Sequence, residues 1–139
     1  MKLNVADQAF SLCVRERADW CCERCHRPYL DRKGAGLHCS HYFGRRNYAV
    51  RHDPLNAACL CFGCHNYADD NHHIYAEWKH WQLGDLYDLL VEHANDINRG
   101  KRAHKETKAI AAHYRHELER MLEQRAAGTT GRIEFADYF

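Results

Sequence analysis

Two Cys-X-X-Cys pairs hold the side chains in this sequence that are best suited to chemistry. Cys22 and Cys25 form the first pair (CERC), and Cys61 and Cys64 form the second (CFGC). The two pairs are separated by 35 residues. Each such turn presents two thiolates with about the right spacing for two corners of a tetrahedron, so two turns predict a closed zinc site with four cysteine ligands. A closed site leaves no position for water, and its Zn²⁺ is expected to stabilise the fold by joining the start of the chain to its middle.

Other roles for the cysteines stay open from the sequence alone. Eight cysteines among 139 residues would also suit a disulfide framework, but that pattern is typical of secreted domains, whereas thiols stay free in a reducing cytosol. Buried thiols or a redox pair are further alternatives. Cys21 and Cys59 could each replace the neighbouring zinc ligand, while Cys13 and Cys39 are interpreted as small core residues.

Three polar residues near the second cysteine pair are suited to phosphodiester hydrolysis. His41 lies at the end of a predicted strand, Asn56 shortly before the second pair, and His65 directly after it. The reaction needs a base with a near-neutral pKa, a divalent ion that polarises the phosphate, and a group that orients the base. We interpret His41 as the base, His65 as an ion ligand and Asn56 as the orienting residue; a structural role is the alternative for each.

This stretch resembles the HNH endonucleases, also called ββα-metal or His-Me finger nucleases. It is most similar to phage recombination nucleases of the endonuclease VII and NinG (Rap) types, whose finger is braced by a zinc ion on four cysteines. The resemblance covers residues 20–75, about 40% of the chain. It implies that His41 is the general base, that Asn56 orients this base and braces the following turn, and that His65 binds a catalytic Mg²⁺ or Mn²⁺.

The residue before the candidate base departs from the family pattern. Many members carry an aspartate there as a second ion ligand, and this sequence has Ser40. A neutral hydroxyl is a poor ligand for a hard cation. Either Ser40 binds the ion weakly, or His38, Asp53 or Asp69 reaches it instead, or the site is impaired.

Arginines on the predicted turn after His41 are candidates for binding DNA phosphates. Arg45 and Arg46 are expected to contact phosphate oxygens, and Arg51 is a weaker candidate; a solvent-exposed role is the alternative. Residues 15–51, 53–98 and 99–125 carry net charges of +5, −7 and +4. Two basic segments would suit a polyanionic partner if the fold brings them together.

Helices and one small sheet must position these residues. Asn4 is a predicted N-cap, Gly84 a helix end, and Asp85 the cap of the next helix. Tyr75, Trp78 and Trp81 recur at helical spacing and are expected to pack against the C-terminal helices. The predicted elements are helices over residues 5–19, 62–71, 72–83, 85–97 and 104–126, and two strands over 37–43 and 48–51 joined by a turn near Gly44. The predicted inward stripe of the helix over 85–97 consists of Leu86, Leu89, Leu90 and His93.

The predicted fold class is α+β and mostly α, with a zinc-braced ββα-metal finger flanked by helices. The length suits one domain over 1–139, divided into the finger at 20–75, C-terminal helices at 76–127 and a tail at 128–139. No apolar run approaches the roughly 18 residues that span a bilayer, and the first ten residues lack a secretory signal, so a cytoplasmic protein of a bacterium or phage-infected cell is expected.

These observations favour a metal-dependent HNH endonuclease that cuts DNA with low sequence specificity, with recombination intermediates as candidate substrates by analogy. The alternative is a non-catalytic, zinc-stabilised module that binds DNA or protein. No membrane partner is expected. The oligomeric state stays open, and a homodimer through the last helix is one alternative.

Overall fold

The structure is a computed structural model that describes residues 1–33 and 35–139. Its elements are α1 (Val5–Arg17), β1 (Leu37–His41), a short 3-10 helix (Pro54–Asn56), β2 (Ala57–Cys61), α2 (Phe62–Asp70), α3 (His72–Leu83), α4 (Leu86–Ala94), α5 (Ile97–Lys105) and α6 (Thr107–Ala126). The prediction of an α+β, mostly helical fold is therefore confirmed.

Helix α1 begins at the residue that the sequence indicates. The side chain of Asn4 accepts a hydrogen bond from the Asp7 backbone N–H at 2.9 Å, and the Asp7 carboxylate accepts one from the Asn4 backbone N–H at 2.7 Å. This reciprocal capping box satisfies two N–H groups at the helix start. The helix ends at Arg17, and Asp19 and Trp20 then take positive φ angles of 53° and 57°. The apolar face of α1 packs mainly on α6.

The two strands form an antiparallel ribbon with a different second strand from the one that the sequence predicts. Leu37 lies opposite Cys61, and His41 lies opposite Ala57. The prediction of a strand at 48–51 is therefore wrong, and β2 begins only after the 3-10 helix.

Side-chain amides explain why residues 48–51 form turns. Asn47 Oδ1 accepts a hydrogen bond from the Ala49 N–H at 3.2 Å, and Asn56 Nδ2 donates to the Val50 carbonyl at 3.0 Å. Asparagine side chains that bond to nearby backbone groups compete with strand pairing. The connection from β1 to β2 is thereby held as an ordered loop against the core, in which Val50 is fully buried.

Helix α2 starts directly at the second cysteine pair, as predicted. Cys61 is its N-cap residue, and the Cys61 Sγ atom accepts a hydrogen bond from the Cys64 N–H at 3.4 Å. Helix α3 follows and ends before Gly84, whose φ of 55° is a conformation that glycine adopts at little cost. Asp85 occupies the cap position of α4, although its side chain makes no capping hydrogen bond.

The C-terminal helices break earlier and more often than the sequence predicts. Helix α4 stops at Ala94, and the Asp96 carboxylate accepts a hydrogen bond from the Arg99 N–H at 3.0 Å, which caps α5. Helix α6 begins at Thr107, so the predicted starting point at residue 104 falls inside α5. The break is marked in the sequence only by a short capping side chain within a continuous polar stretch, which apolar periodicity does not reveal.

The segment after α6 has no helix or strand but belongs to the core. Ile133 and Phe135 are buried, and the Ile133 N–H donates a hydrogen bond to the Arg17 carbonyl at 3.2 Å. Within the described residues, no helix is both long and apolar enough to cross a bilayer.

Candidate functional site

The two Cys-X-X-Cys pairs meet in one cluster at the junction of β2 and α2. All four Sγ atoms lie within 4.8 Å of one another, and those of Cys25 and Cys61 are 3.8 Å apart. Four thiolates bound to Zn²⁺ at about 2.3 Å would be separated by about 3.8 Å, so the cluster fits a tetrahedral ion. It could therefore hold a metal such as zinc, and the alternative ligands Cys21 and Cys59 lie outside it.

Hydrogen-bond donors surround the sulfur atoms of this cluster. The Cys25 N–H donates to Cys22 Sγ at 3.5 Å, and the Arg24 guanidinium donates to Cys64 Sγ at 3.5 Å. Burial raises the pKa of the Cys22 thiol, but backbone N–H groups, that of Cys25 foremost, outweigh burial and bring this pKa to about 7. The donors at Cys22 favour its thiolate form, which is the form that binds metal, whereas at Cys64 burial outweighs the Arg24 hydrogen bond and raises the pKa of the thiol to about 12.

A cavity of about 540 Å³ lies beside the sheet and collects most of the predicted catalytic residues. His38 and His41 line it from β1, His65 and Asp69 from α2, and Arg45 from the loop after β1. We refer to this space as the histidine cavity. Because β1 and β2 pair and α2 continues β2, residues far apart in sequence come together here.

One ring nitrogen of His41 forms a hydrogen bond, and the other has no hydrogen-bond partner among the described residues. Its Nε2 atom lies 2.9 Å from the Arg51 carbonyl oxygen. Since a carbonyl only accepts, Nε2 carries the hydrogen and Nδ1 keeps its lone pair in the neutral ring. Burial lowers the pKa of His41 to about 4, against the raising effect of the carbonyl and with a smaller lowering effect of Arg45. The imidazole is therefore neutral and its Nδ1 can accept a proton, but a pKa of about 4 makes His41 a weaker base than the near-neutral one that the sequence predicts.

His38 and His65 face each other across the histidine cavity. Their Nδ1 atoms are 2.9 Å apart, and an Asp69 carboxylate oxygen lies 3.3 Å from His65 Nε2. Burial, with the nearby charges of His65 and Arg15, lowers the pKa of His38, which favours its neutral form. At this distance one ring donates a hydrogen bond to the other. With metal–nitrogen bonds of about 2.1 Å, two ligands at right angles also lie about 3 Å apart, so the two nitrogens could hold one cation in place of that hydrogen bond. A carboxylate behind a ligating imidazole is a common orienting partner.

Asn56 lies outside the cavity and orders the loop next to it. Its fully buried side chain accepts from the Phe43 N–H at 2.8 Å and donates to the carbonyls of Phe43 and Val50 at 2.9 and 3.0 Å. The Val50 carbonyl immediately precedes Arg51, whose own carbonyl bonds to His41. Asn56 can therefore orient His41 only indirectly, through the backbone.

The expectation that Ser40 is an ion ligand is corrected by the structure. Ser40 is fully buried, and its Oγ atom forms a 2.7 Å hydrogen bond with the hydroxyl of Tyr75 in the core. It does not line the histidine cavity. His38, one of the alternatives that the sequence left open, is the β1 residue that faces His65.

The three candidate DNA-binding arginines have different surroundings. Arg45 lines the histidine cavity, and Arg46 lines a separate shallow groove that also contains Lys101. The expectation for Arg51 is wrong, because it is 1% exposed and its guanidinium bonds to the Asp7 carboxylate at 2.8 and 2.5 Å. A buried, paired guanidinium is inaccessible to DNA.

Sequence reasoning missed the two charged residues among the four of α1 that line the histidine cavity. Asp7 accepts hydrogen bonds from Arg51 and from His52 Nε2 at 2.8 Å; burial raises its pKa, but these partners hold it well below the usual range. Arg15 donates from Nε to the Leu37 carbonyl at 3.1 Å and adds a second cation beside Arg45. Nothing in their spacing relates them to the histidines, so no sequence signal pointed to them.

Asp53 also fails to reach the histidine cavity. Its fully buried carboxylate lies 2.6 Å from His93 and 3.1 Å from Arg99, and Arg99 also pairs with Asp137 at 2.6 Å. Ligand atoms of Asp53, His93 and Asp137 are close enough for a metal. Because the Arg99 guanidinium already bridges both carboxylates, we interpret this group as an ion-pair network.

The chain was compared with protein-family models, with curated proteins and with solved structures. None of the three comparisons gives a match.

Proposed function

We propose that this protein is a metal-dependent endonuclease of the HNH type that hydrolyses phosphodiester bonds in DNA. One observation carries the proposal: His41, with a free ring nitrogen, shares a 540 Å³ cavity with the facing imidazoles of His38 and His65. A general base and a candidate ion site within one solvent-accessible space are the two components that phosphodiester hydrolysis needs.

In this proposal, His41 is the general base. Its Nδ1 atom takes a proton from a water molecule, and the water oxygen forms a bond to phosphorus as the bond from phosphorus to one sugar oxygen breaks. The leaving oxygen takes a proton from solvent, and His41 returns its proton to solvent. The Arg51 carbonyl holds the ring, and Asn56 is a positioning residue for that carbonyl.

His38 and His65 would hold the catalytic ion, with Asp69 orienting His65. When bound, the ion polarises the phosphate and stabilises negative charge on the leaving oxygen. Imidazole nitrogens suit transition metals better than Mg²⁺, so Mn²⁺ is expected to support faster cutting than Mg²⁺.

In this proposal, the cationic side chains of the site bind the DNA backbone. Arg15 and Arg45 line the histidine cavity and would contact phosphate oxygens on either side of the cut. Phosphate contacts carry no sequence information, so cutting is expected to have low sequence specificity. Branched recombination intermediates are candidate substrates by analogy.

In the same proposal, the cysteine cluster holds a structural Zn²⁺ that positions the ion site. Cys64, one of the four cysteines, directly precedes His65 in α2. Zinc there would fix the first turn of α2 to residues 22–25 and would thereby fix the direction of the His65 ring.

A plasmid-nicking assay tests the proposal. Wild-type protein is incubated with supercoiled DNA and Mn²⁺, Mg²⁺ or EDTA, beside His41→Ala and the control His116→Ala, which changes an exposed histidine on α6. We expect Mn²⁺-dependent nicking by wild type and control, and a rate about 10²–10⁴-fold lower for His41→Ala, the range for loss of a general base. Zinc content is measured in every preparation.

Two results would reject the proposal. Equal nicking by wild type and His41→Ala would mean that the histidine cavity is not the active site. Binding of DNA without cleavage under any of several divalent ions, with zinc retained, would favour the non-catalytic module instead.

A further inference from the structure

A second and larger cavity, of about 780 Å³, lies between α3, α4, the end of α1 and the C-terminal segment. It shares no lining residue with the histidine cavity. We call it the lysine cavity, after Lys79. Its volume falls within the range of pockets that hold small organic molecules.

Within the part of the chain that the structure describes, two buried cations that line the lysine cavity have no carboxylate partner. Lys79 is 0% exposed, and its Nζ donates to Gln82 Oε1 at 3.0 Å. Arg17 is 3% exposed; it donates to the carbonyls of Pro54 and Ala57 at 2.9 and 2.7 Å, and its Nε atom has no hydrogen-bond partner. Among residues 1–33 and 35–139, no carboxylate lies within 4.0 Å of either cation.

The carboxylates around the same cavity are already paired. Glu23 pairs with Arg132 at 3.0 Å, while Asp53 and Asp137 pair with Arg99 at 3.1 and 2.6 Å. A buried charge without a partner is costly, so it either loses its proton or receives an anion. Burial, together with the charge of Arg17, lowers the pKa of Lys79 to about 7.

The mouth of the lysine cavity is apolar and exposed. Trp81 is 77% exposed, and Leu86 and Leu89 are 49% and 38% exposed, contrary to the expectation that all three pack inside. Trp78 lies deeper in the same wall. These side chains leave an unpartnered aromatic and aliphatic surface directly beside the two buried cations.

The balance of charge indicates which kind of anion fits. Arg17, Lys79 and Arg132 face the cavity together with four acids, Glu23, Asp53, Glu134 and Asp137. Since these side chains carry a net charge of −1, the acids repel a doubly charged phosphate more strongly than a singly charged carboxylate, and an anion is held only by direct contact with Arg17 and Lys79, which have no carboxylate partner among the described residues.

We propose that the lysine cavity binds a small organic carboxylate whose apolar body lies against Trp78 and Trp81 and whose charge is received by Lys79 and Arg17. The carboxylate supplies the acceptor that Arg17 Nε lacks and takes the place of Gln82 Oε1 at Lys79 Nζ, which has no exposed surface while Gln82 covers it. The apolar body covers part of the exposed surface of Trp81, Leu86 and Leu89. This ligand site is separate from the nuclease proposal and does not depend on it.

A titration with matched probes tests the proposal. 3-Phenylpropionate, its uncharged amide 3-phenylpropionamide, and phenyl phosphate are added to ¹⁵N-labelled protein, and the indole N–H signals are followed. Trp20 is an internal reference, because it does not line the cavity and its Nε1 donates to Glu16 at 2.8 Å. We expect saturable shifts of Trp78 and Trp81, with the carboxylate bound at least tenfold more tightly than the amide or the phosphate.

Variants separate the charge from the apolar surface. Lys79→Met keeps the length of the side chain and is expected to remove the preference for the carboxylate over the amide. Lys101→Met, at an exposed position on α5, is the control and should retain that preference. Trp81→Ala, at an exposed position, weakens both ligands. The proposal is rejected if neither 3-phenylpropionate nor its amide shifts the signals of Trp78 and Trp81, or if the two compounds bind equally to wild type. It is also rejected if Lys79→Met still binds the carboxylate more tightly than the amide.

Discussion

The histidine cavity and the lysine cavity differ in how their polar groups are satisfied. In the histidine cavity, His41 is held by a backbone carbonyl, and Asp7 receives Arg51 and His52. In the lysine cavity, Arg17 and Lys79 are more deeply buried than His41, yet neither has a carboxylate partner among the described residues. Hydrogen-bond partners that fix a ring in one orientation favour catalysis, because the reacting group is already positioned. Buried cations without a carboxylate partner favour binding of an anion, because the anion offsets their desolvation.

The largest expected effect concerns the support of the histidine cavity. Cys61→Ser removes one thiolate from the cluster that directly precedes α2. Structural zinc contributes on the order of 10 kcal/mol to small zinc-dependent folds, so we expect loss of bound zinc and unfolding of residues 20–75. Zinc analysis and circular dichroism measure both quantities. Cys21→Ser, outside the cluster, is the control and should keep its zinc.

If the Cys61→Ser protein lost zinc but kept its helix content and thermal stability, the cluster would not brace the histidine cavity. His65 would then have to be positioned by Asp69 and His38 alone, without support from the cysteine cluster.

Sequence reasoning reached the histidine cavity because spacing carries information over short distances. The Cys-X-X-Cys pairs, the N-cap at Asn4, and the position of His65 after Cys64 follow from local geometry. The second strand was misplaced because the side chains of Asn47 and Asn56 hold a loop that looks extended in sequence.

The lysine cavity was beyond prediction for a physical reason. Its walls come from α1, α3, α4 and the segment after α6, and no spacing relates Arg17 to Lys79 or to Phe135. The exposed position of Trp81 was also missed, because helical periodicity identifies a face of the helix but not what covers it.

The second prediction removes the ion pair next to the histidine cavity. Asp7→Asn leaves the Arg51 guanidinium, which is 1% exposed, without its carboxylate. Loss of one partner of a buried ion pair destabilises by about 3–5 kcal/mol. Urea unfolding should show this loss, while Glu119→Gln, an exposed change on α6, should have little effect.

The same carboxylate gives a pH dependence. Because the pKa of Asp7 is lower in the folded chain than in the unfolded chain, its contribution to stability is complete above the unfolded value near 3.8 and is lost as the pH falls below it. Wild type should therefore lose its advantage over Asp7→Asn below about pH 4. An unchanged difference at about pH 2.5, well below the ordinary aspartate pKa, would contradict the assignment.

The third prediction tests whether Asn56 acts on the loop or on the reaction. Asn56→Ala removes hydrogen bonds to the Phe43 N–H and to two backbone carbonyls. We expect a loss of about 2–4 kcal/mol in the free energy of unfolding, since buried backbone groups lose their partners. Asn98→Ala, exposed in α5, is the control. If Asn56 positions His41 through the backbone, the nicking rate of Asn56→Ala should fall less than that of His41→Ala. A stability loss below about 0.5 kcal/mol, the usual scatter of surface substitutions, would contradict the role of Asn56 in ordering the loop.

The smallest expected effect belongs to the lysine cavity without ligand. The pKa of Lys79 is about 7 in the folded protein against an ordinary value of 10.5. Between these values the unfolded chain binds more protons than the folded chain, so the stability of wild type should rise as the pH increases from about 7 to about 9. Lys79→Met removes the titrating group and should be more stable than wild type at about pH 7, by about 1–3 kcal/mol.

The difference between wild type and Lys79→Met isolates this one group, because all other titrations cancel. We expect the difference in the free energy of unfolding to shrink over the same rise in pH, and the control Lys101→Met to show no such trend. A constant difference would mean that Lys79 keeps its charge with partners that satisfy it. The lysine cavity would then resemble the histidine cavity, and the reason to expect an anionic ligand there would disappear, because only an unsatisfied buried cation gains from one.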